Sequence, residues 1–290
     1  MRRFISIIFF FIVFITFESK SQSFYTIIDD DASSVESIDN IKNICDKEGV
    51  KISFAVIAQN LIKNETIKDS LLSFQQQGFH ICNHSLTHKA CVWEDVDIVA
   101  IEEEIQTSNY ILDSLGFVNH NYLVYPYGKF SEEDYFNILP YIKDKYRLAF
   151  NSRGYDCDLK DFNRYYINRF PLRKHENISM VKNKIDRAVE KGNWIVFLTH
   201  SANQRDYSSE YLSEIIEYCN KKGLQCLTVD EGYERVSQLE SNSKIYEWKK
   251  RDELYSAIEM HIWHILLFIT LASLVIVLYY IYLNIKDRRL

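Results

Sequence analysis

The chain has 290 residues, 47% of them hydrophobic, and a formal net charge of −6. Because this acidic balance comes without a basic run in the central region, the composition gives no support to nucleic-acid binding. Six cysteines form no CxxC pair, and their pairing cannot be deduced from sequence.

Residues 1–23 are predicted to be a signal peptide. Arg2 and Arg3 supply its positive charge, and residues 4–17 are almost wholly apolar. Small residues then make cleavage before Gln22 plausible. An uncleaved anchor helix is the alternative, although the apolar run is short for a bilayer span.

Residues 24–240 are predicted to form one domain in which short apolar runs alternate with amphipathic segments of helical length. The predicted strands are Phe24–Asp29, Ile52–Ala58, Phe79–Asn83, Tyr122–Tyr125, Tyr146–Phe150, Tyr165–Phe170, Trp194–Thr199 and Gln225–Val229. The predicted helices are Val35–Lys47, Glu65–Gln77, Val96–Leu115, Glu132–Lys143, Glu176–Lys191, Ser208–Lys222 and Asp230–Leu239. This alternation indicates a mostly parallel sheet, as a barrel or as a doubly wound layer.

Polar residues follow several of these strands. Asp29 and Asp30 end the first strand, His84 follows the third, Tyr127 follows the fourth, and His200 ends a late one. Since reactive groups gather at the carboxyl ends of strands in a parallel barrel, we expect these residues to form one site.

Two histidines stand four residues apart, His84 and His88 in Asn-His-Ser-Leu-Thr-His. Two imidazoles and a carboxylate suffice for a zinc-type site with an open coordination position, and such an ion activates water near neutral pH. Each motif alone has a plain alternative, such as surface histidines or aspartates that cap the following helix. Their occurrence together, in order, favours a hydrolytic site. By contrast, the Glu102–Glu104 run is interpreted as a solvated helix face.

The C-terminal part is predicted to reach a membrane. Residues 241–261 form a polar stalk, 262–283 a transmembrane helix and 284–290 a short basic tail. Residues 265–283 contain no charged side chain, and basic residues favour the cytoplasmic side. The expected protein is exported and is tethered to the cell membrane by a single span, with its domain outside the cytoplasm.

Four motifs in chain order resemble those of the polysaccharide deacetylase family, also called NodB-homology domains or carbohydrate esterase family 4. They are Ile27–Asp31, His84–His88, Val124–Gly128 and Leu198–His200. The resemblance spans residues 24 to about 235. It implies a distorted seven-stranded NodB-type (β/α) barrel and a metal-dependent hydrolase, with zinc as the expected ion and cobalt or nickel as possible substitutes.

The resemblance also implies roles for individual residues. Asp29 would be the general base and His200 the general acid, and Tyr127 would offer its backbone amide to the oxyanion. The implied metal ligands are Asp30, His84 and His88.

Two departures from the family pattern leave alternatives open. Asp31 stands where the family usually has glycine, so Asp30 as base and Asp31 as ligand is a second possible assignment. Val124 replaces the arginine that normally pairs with the base, and we hypothesise that Arg169 supplies this charge.

The expected function is N-deacetylation of an extracytoplasmic polysaccharide with GlcNAc-type sugars. O-acetyl ester hydrolysis on glycans and non-catalytic glycan binding are the alternatives.

Overall fold

The computed structural model describes residues 23–128, 131–152, 154–159, 162–173, 177–201 and 209–240, together with Thr270 and Ser273. The chain divides into two compact units, Met1–Gly232 and Tyr233–Leu290. The predicted signal peptide (except Ser23), stalk, transmembrane segment (except Thr270 and Ser273) and tail lie outside the described residues. Within the described ranges, no helix has both the length and the apolar character that a membrane crossing requires.

The described residues form eight strands and nine helices. The strands are β1 (Phe24–Asp31), β2 (Ser53–Val56), β3 (His80–Asn83), β4 (Tyr122–Val124), β5 (Leu148–Phe150), β6 (Phe170–Pro171), β7 (Trp194–Thr199) and β8 (Gln225–Cys226). The helices are α1 (Val35–Glu48), α2 (Ala58–Lys63), α3 (Glu65–Gln76), α4 (Ala90–Trp93), α5 (Ile98–Ser114), α6 (Glu132–Lys143), α7 (Ile178–Lys191), α8 (Ser209–Lys221) and α9 (Val229–Glu240).

The strands form one parallel sheet. Its main path has the order β5-β4-β3-β2-β1-β7-β6, and β8 pairs with β1. An isolated parallel bridge joins Phe150 in β5 to Ile167, just before β6. The predicted α/β class with a parallel sheet is confirmed. The seven strands of the main path form a curled half-barrel, which is consistent with the predicted NodB-type (β/α) fold.

The interior of the curl is filled by aromatic side chains. Trp194 of β7 packs against Phe24 of β1 at a centroid distance of 5.3 Å and against Phe150 of β5 at 6.0 Å. Its indole N–H donates to Thr26 Oγ1 at 3.0 Å. Because β5 and β7 are not neighbours in the sheet, the indole spans the interior below the carboxyl ends of the strands.

Strand β1 is buried on both faces, as is usual for a central parallel strand. Tyr25 and Ile27 pack into the cluster formed with the surrounding helices, whereas Phe24 and Thr26 face Trp194. Because side chains alternate along a strand, Asp29 lies on the face of β1 that packs against the helices, together with Tyr25 and Ile27. Asp30 lies on the face that looks toward Trp194.

Polar caps fix the ends of the longer helices. Ser34 Oγ accepts the backbone N–H of Ser37 at the start of α1, and Asn177 caps α7 in the same way. Gly49 and Gly192 end these helices in the left-handed conformation that glycine adopts without strain. These capping residues begin and end the helices close to their predicted positions.

Four elements differ most from the prediction. The predicted strand at Gln225–Val229 is reduced to β8, because α9 begins at Val229. Helices α2 and α4 were not predicted, because segments of six and four residues are too short to show a helical period. The predicted strand at Tyr165–Phe170 is reduced to β6, which begins at Phe170. The backbone between Ile167 and Phe170 instead carries Arg169 into the site described below.

Candidate metal centre

The two histidines lie on a turn that follows β3. The backbone N–H of His84 donates to Val56 O at 2.9 Å, which extends the β2–β3 pairing by one residue. Ser85 and His88 then adopt left-handed backbone conformations, with φ of +68° and +55°. This turn brings the two imidazole rings to a centroid distance of 4.7 Å.

A backbone carbonyl orients the first imidazole. His84 Nδ1 lies 2.7 Å from Val124 O and must be the donor, since a carbonyl oxygen can only accept. The neutral ring then presents its Nε2 lone pair to the site. Such a hydrogen bond to the second ring nitrogen is the usual way in which proteins fix a metal-ligating histidine.

The carboxylate nearest to both histidines belongs to Asp31. Its Oδ1 lies 3.6 Å from His84 Nε2 and 3.9 Å from His88 Nε2. One ligand atom from each of these three residues falls within 4.8 Å of the others. Asp30, the ligand that the family resemblance implies, approaches only His84, at 4.0 Å. The geometry thus favours the second assignment that the sequence left open.

The donor set fits a divalent ion. Asp31 Oδ1 is buried and has no hydrogen-bond partner among the described residues, which is costly unless a cation satisfies it. Ligand atoms about 2.0–2.2 Å from a tetrahedral zinc would lie roughly 3.3–3.6 Å apart. Asp31 Oδ1 lies 3.6 and 3.9 Å from the two imidazole Nε2 atoms, close to that spacing. Burial raises the pKa of Asp31, but its interaction with the adjacent His84 imidazole outweighs the effect of burial and lowers the pKa to about 2. The carboxylate is therefore ionised, as a ligand must be.

Asp30 forms a buried ion pair with Arg169. The guanidinium Nη1 and Nη2 donate to the two carboxylate oxygens at 2.7 and 2.9 Å, and Nε donates to Asn151 O at 2.6 Å. Arg169 is fully buried. Burial raises the pKa of Asp30, but the charge of the Arg169 guanidinium lowers it by a larger amount. The pKa of Asp30 therefore lies below its usual value. Arg169 thus supplies its charge to Asp30, not to Asp29.

Asp29 is directed away from the metal ligands. It is fully buried, and its carboxylate accepts hydrogen bonds from Thr199 Oγ1 at 2.8 Å, from the Ser201 backbone N–H at 2.7 Å and from Ser201 Oγ. Burial raises its pKa to about 6, although the hydrogen bonds from Ser201 and Thr199 act in the opposite direction. These contacts tie the end of β1 to the two residues that flank His200.

A cavity of about 460 Å³ opens at this edge of the sheet. Of the seven site residues predicted from sequence, it is lined by Asp30, His84, His88, Tyr127, Arg169 and His200. Asp29 and Asp31 are not among the lining residues. The structure therefore gathers six of the predicted residues around one space and leaves Asp29 behind it.

Tyr127 lies at the centre of a strained turn on the cavity wall. The Gly128 N–H donates to Pro126 O at 2.6 Å, forming a three-residue turn in which Tyr127 has a φ of +60°. The Tyr127 ring packs on His88 at 4.6 Å, and its hydroxyl donates to His88 O at 3.3 Å. Ser152 Oγ donates to Tyr127 O at 2.6 Å. Strain of this kind is concentrated at functional sites.

Replacing Gly128 with alanine should destabilise the domain strongly. Gly128 has a φ of +56°, and a Cβ atom there would lie 2.4 Å from Ser152 N. The left-handed backbone would cost about 1–2 kcal/mol, and the clash would add about 1–3 kcal/mol. Gly49→Ala is the matched control, because Gly49 has a φ of +68° with open space around it. Urea unfolding that showed equal losses for the two variants would contradict this account.

Sequence reasoning did not identify the side chains that support the site. Thr199 and Ser201 hold Asp29, and Ser152 holds the Tyr127 turn. The available signal was their position beside His200 or, for Ser152, just after β5. Hydroxyl residues are so common at strand ends that this signal does not single them out.

Comparisons with known proteins agree with the motifs. Residues 13–138 match the family model described as polysaccharide deacetylase. No curated protein sequence matches the chain.

Three solved structures share the fold. Peptidoglycan deacetylase PdaC from Bacillus subtilis is 16% identical, with a TM-score of 0.53 over 79% of this chain and 98% of that chain. A family 4 acetyl xylan esterase from Clostridium thermocellum, in complex with a cobalt ion, is 15% identical, with a TM-score of 0.53 over 75% of this chain and 92% of that chain. A family 4 pseudoenzyme from Bacillus anthracis is 16% identical, with a TM-score of 0.50 over 72% and 64%. The resemblance to the polysaccharide deacetylase family that the motifs indicated is thereby confirmed over residues 13–138, and the solved structures share its fold.

Proposed function

We propose that the protein is a metal-dependent deacetylase that hydrolyses N-acetyl groups of an extracytoplasmic polysaccharide with GlcNAc-type sugars. The observation that carries this proposal is the approach of Asp31, His84 and His88 to one another at distances suited to a single ion. Two imidazoles and one carboxylate leave coordination positions open for water and substrate. The Asp30–Arg169 pair and His200 line the adjoining cavity.

A divalent ion held by Asp31, His84 and His88, most simply zinc, would supply Lewis acidity toward a water molecule and the acetyl carbonyl. Asp30 is the proposed general base, because Arg169 keeps it ionised and fixes both of its oxygens. This assignment moves the base and the ligand each one residue beyond the roles carried over from the family.

The remaining roles concern the leaving group and the oxyanion. His200 is the proposed general acid, which donates a proton to the departing amine nitrogen, since an unprotonated amide nitrogen leaves poorly. The Tyr127 backbone N–H would donate to the oxyanion that develops as water attacks. Asp29 is proposed to hold the backbone on either side of His200 instead of acting as the base.

We also propose that the domain works outside the cytoplasm, anchored by residues 262–283. The support for this proposal is the sequence: an export signal at 1–23, an uncharged apolar segment and a basic tail.

Acetate release will test the proposal. The full-length chain, assayed on a panel of N-acetylated oligosaccharides, should release acetate, should lose this activity after chelation and should regain it with zinc, cobalt or nickel. The metal content of each preparation should follow the activity. Acetate release that chelation leaves unchanged would contradict a metal-dependent reaction.

Two family relatives motivate alternative outcomes. If the chain is an O-acetyl esterase, like the relative from Clostridium thermocellum, acetylated xylan should be the better substrate. His200→Ala should then cost less activity, because an alkoxide leaves more easily than an amine. If the chain resembles the pseudoenzyme from Bacillus anthracis, it should bind glycan and release no acetate with any metal.

A further inference from the structure

The carboxylate of Glu104 reaches the turn between the two histidines. Glu104 lies on α5 and is only 6% exposed. Its Oε2 accepts the Thr87 backbone N–H at 2.8 Å, and its Oε1 accepts the Thr87 hydroxyl. Thr87 immediately precedes His88, so a helix that lines no part of the cavity holds the backbone next to a proposed ligand.

The helical period explains why one of three consecutive glutamates is buried. Glu104 shares the inner face of α5 with Ile101, Ile105 and Ser108, whereas Glu103 is exposed. A carboxylate on an otherwise apolar face is costly to bury unless its oxygens are hydrogen-bonded. Thr87 supplies a donor to each oxygen. The interpretation of Glu102–Glu104 as a solvated face is therefore wrong for Glu104.

The histidine turn needs such restraint. Ser85 and His88 both have positive φ, a conformation that side chains with a Cβ atom seldom adopt. The first half of the turn is held by Asn83 Oδ1, which accepts the Ser85 N–H at 2.8 Å. In the second half, Ser85 Oγ accepts the His88 N–H at 3.1 Å. The Glu104 contact holds the residue between these points, Thr87.

We propose that Glu104 is a positioning residue for the metal centre, because its hydrogen bonds to Thr87 hold His88 at the spacing from His84 that one ion requires. This inference rests on the proposed metal site. Side chains that orient metal ligands typically contribute 10- to 100-fold in metal affinity, about the effect expected here.

The test uses the full-length chain and Co²⁺ as the probe, with the dissociation constant and the visible absorption spectrum as readouts. Glu104→Gln removes the negative charge, and its amide can keep both contacts only by accepting the Thr87 N–H and donating its NH₂ to the Thr87 hydroxyl oxygen, so two charge-assisted hydrogen bonds become weaker neutral ones. We expect it to bind Co²⁺ about 10- to 100-fold more weakly and with an altered spectrum. Glu103→Gln, from the exposed face of the same helix, is the matched control and should behave as wild type.

A second pair of variants guards against misfolding of Glu104→Gln. Thr87→Val removes only the hydroxyl donor and should weaken Co²⁺ binding, as Glu104→Gln does. Thr87→Ser keeps both donors and should bind Co²⁺ with the affinity of the wild type. Wild-type affinity and spectrum in both Glu104→Gln and Thr87→Val would overturn this inference alone. A wild-type chain that failed to bind Co²⁺ would overturn the metal site, and this inference with it.

Discussion

Asp31→Ala should lose its bound metal, whereas Asp30→Asn should keep the metal and lose turnover. Asp31 Oδ1 faces both histidine Nε2 atoms, while Asp30 is held in a bidentate pair by Arg169. Since loss of an outer-shell contact already costs about 10- to 100-fold in affinity, loss of a direct ligand should exceed 100-fold. Loss of a general base should slow turnover by about 10²- to 10⁴-fold.

Metal content after dialysis and titration with zinc will separate the two possible assignments. If Asp30 is the ligand, as the family resemblance implies, Asp30→Asn will be the variant that loses metal. Asp29→Asn is a useful third variant, because Asp29 contacts Thr199 and Ser201 and does not line the cavity. We expect it to retain metal.

Arg169→Met should lower both stability and activity. The guanidinium is fully buried and makes three hydrogen bonds, so its removal leaves the Asp30 carboxylate charged in a buried position. Breaking a buried pair in this way costs about 3–5 kcal/mol in the free energy of unfolding. Turnover should also fall, because the proposed base loses its orientation, whereas metal content should be unchanged.

Urea unfolding will measure the stability change. Lys182→Met is the control, since it breaks an exposed pair with Glu214 at 2.6 Å, which should contribute less than about 1 kcal/mol. The Arg169→Met and Asp30→Asn double variant should be more stable than the sum of the single losses predicts, because no unpaired charge remains. Additive losses would show that the two side chains do not depend on each other.

Much of this fold could be predicted from sequence because its signals are local. The βα alternation and the helix caps place the elements, and the motifs follow strands whose carboxyl ends meet at one edge of the sheet. His84, His88, Tyr127 and His200 were identified in this way, and the structure places all four on the same cavity.

The roles of the three consecutive aspartates could not be assigned from sequence. Strand β1 is apolar on both faces, so its pattern does not reveal which face looks inward. That direction is fixed by Trp194, which is 168 residues away from its partner Thr26. Glu104 and Ser201 are similar cases, since each acts through a contact with a distant part of the chain.

The end of β1 carries a structural consequence of its own. Three successive carboxylates contact three separate segments of the chain. Asp29 contacts the end of β7, Asp30 contacts the segment before β6, and Asp31 contacts the turn after β3. Inserting or deleting one residue in β1 would rotate all three side chains at once and give each the wrong neighbour. Evolution can therefore vary the length of the surrounding loops far more freely than the length of this strand.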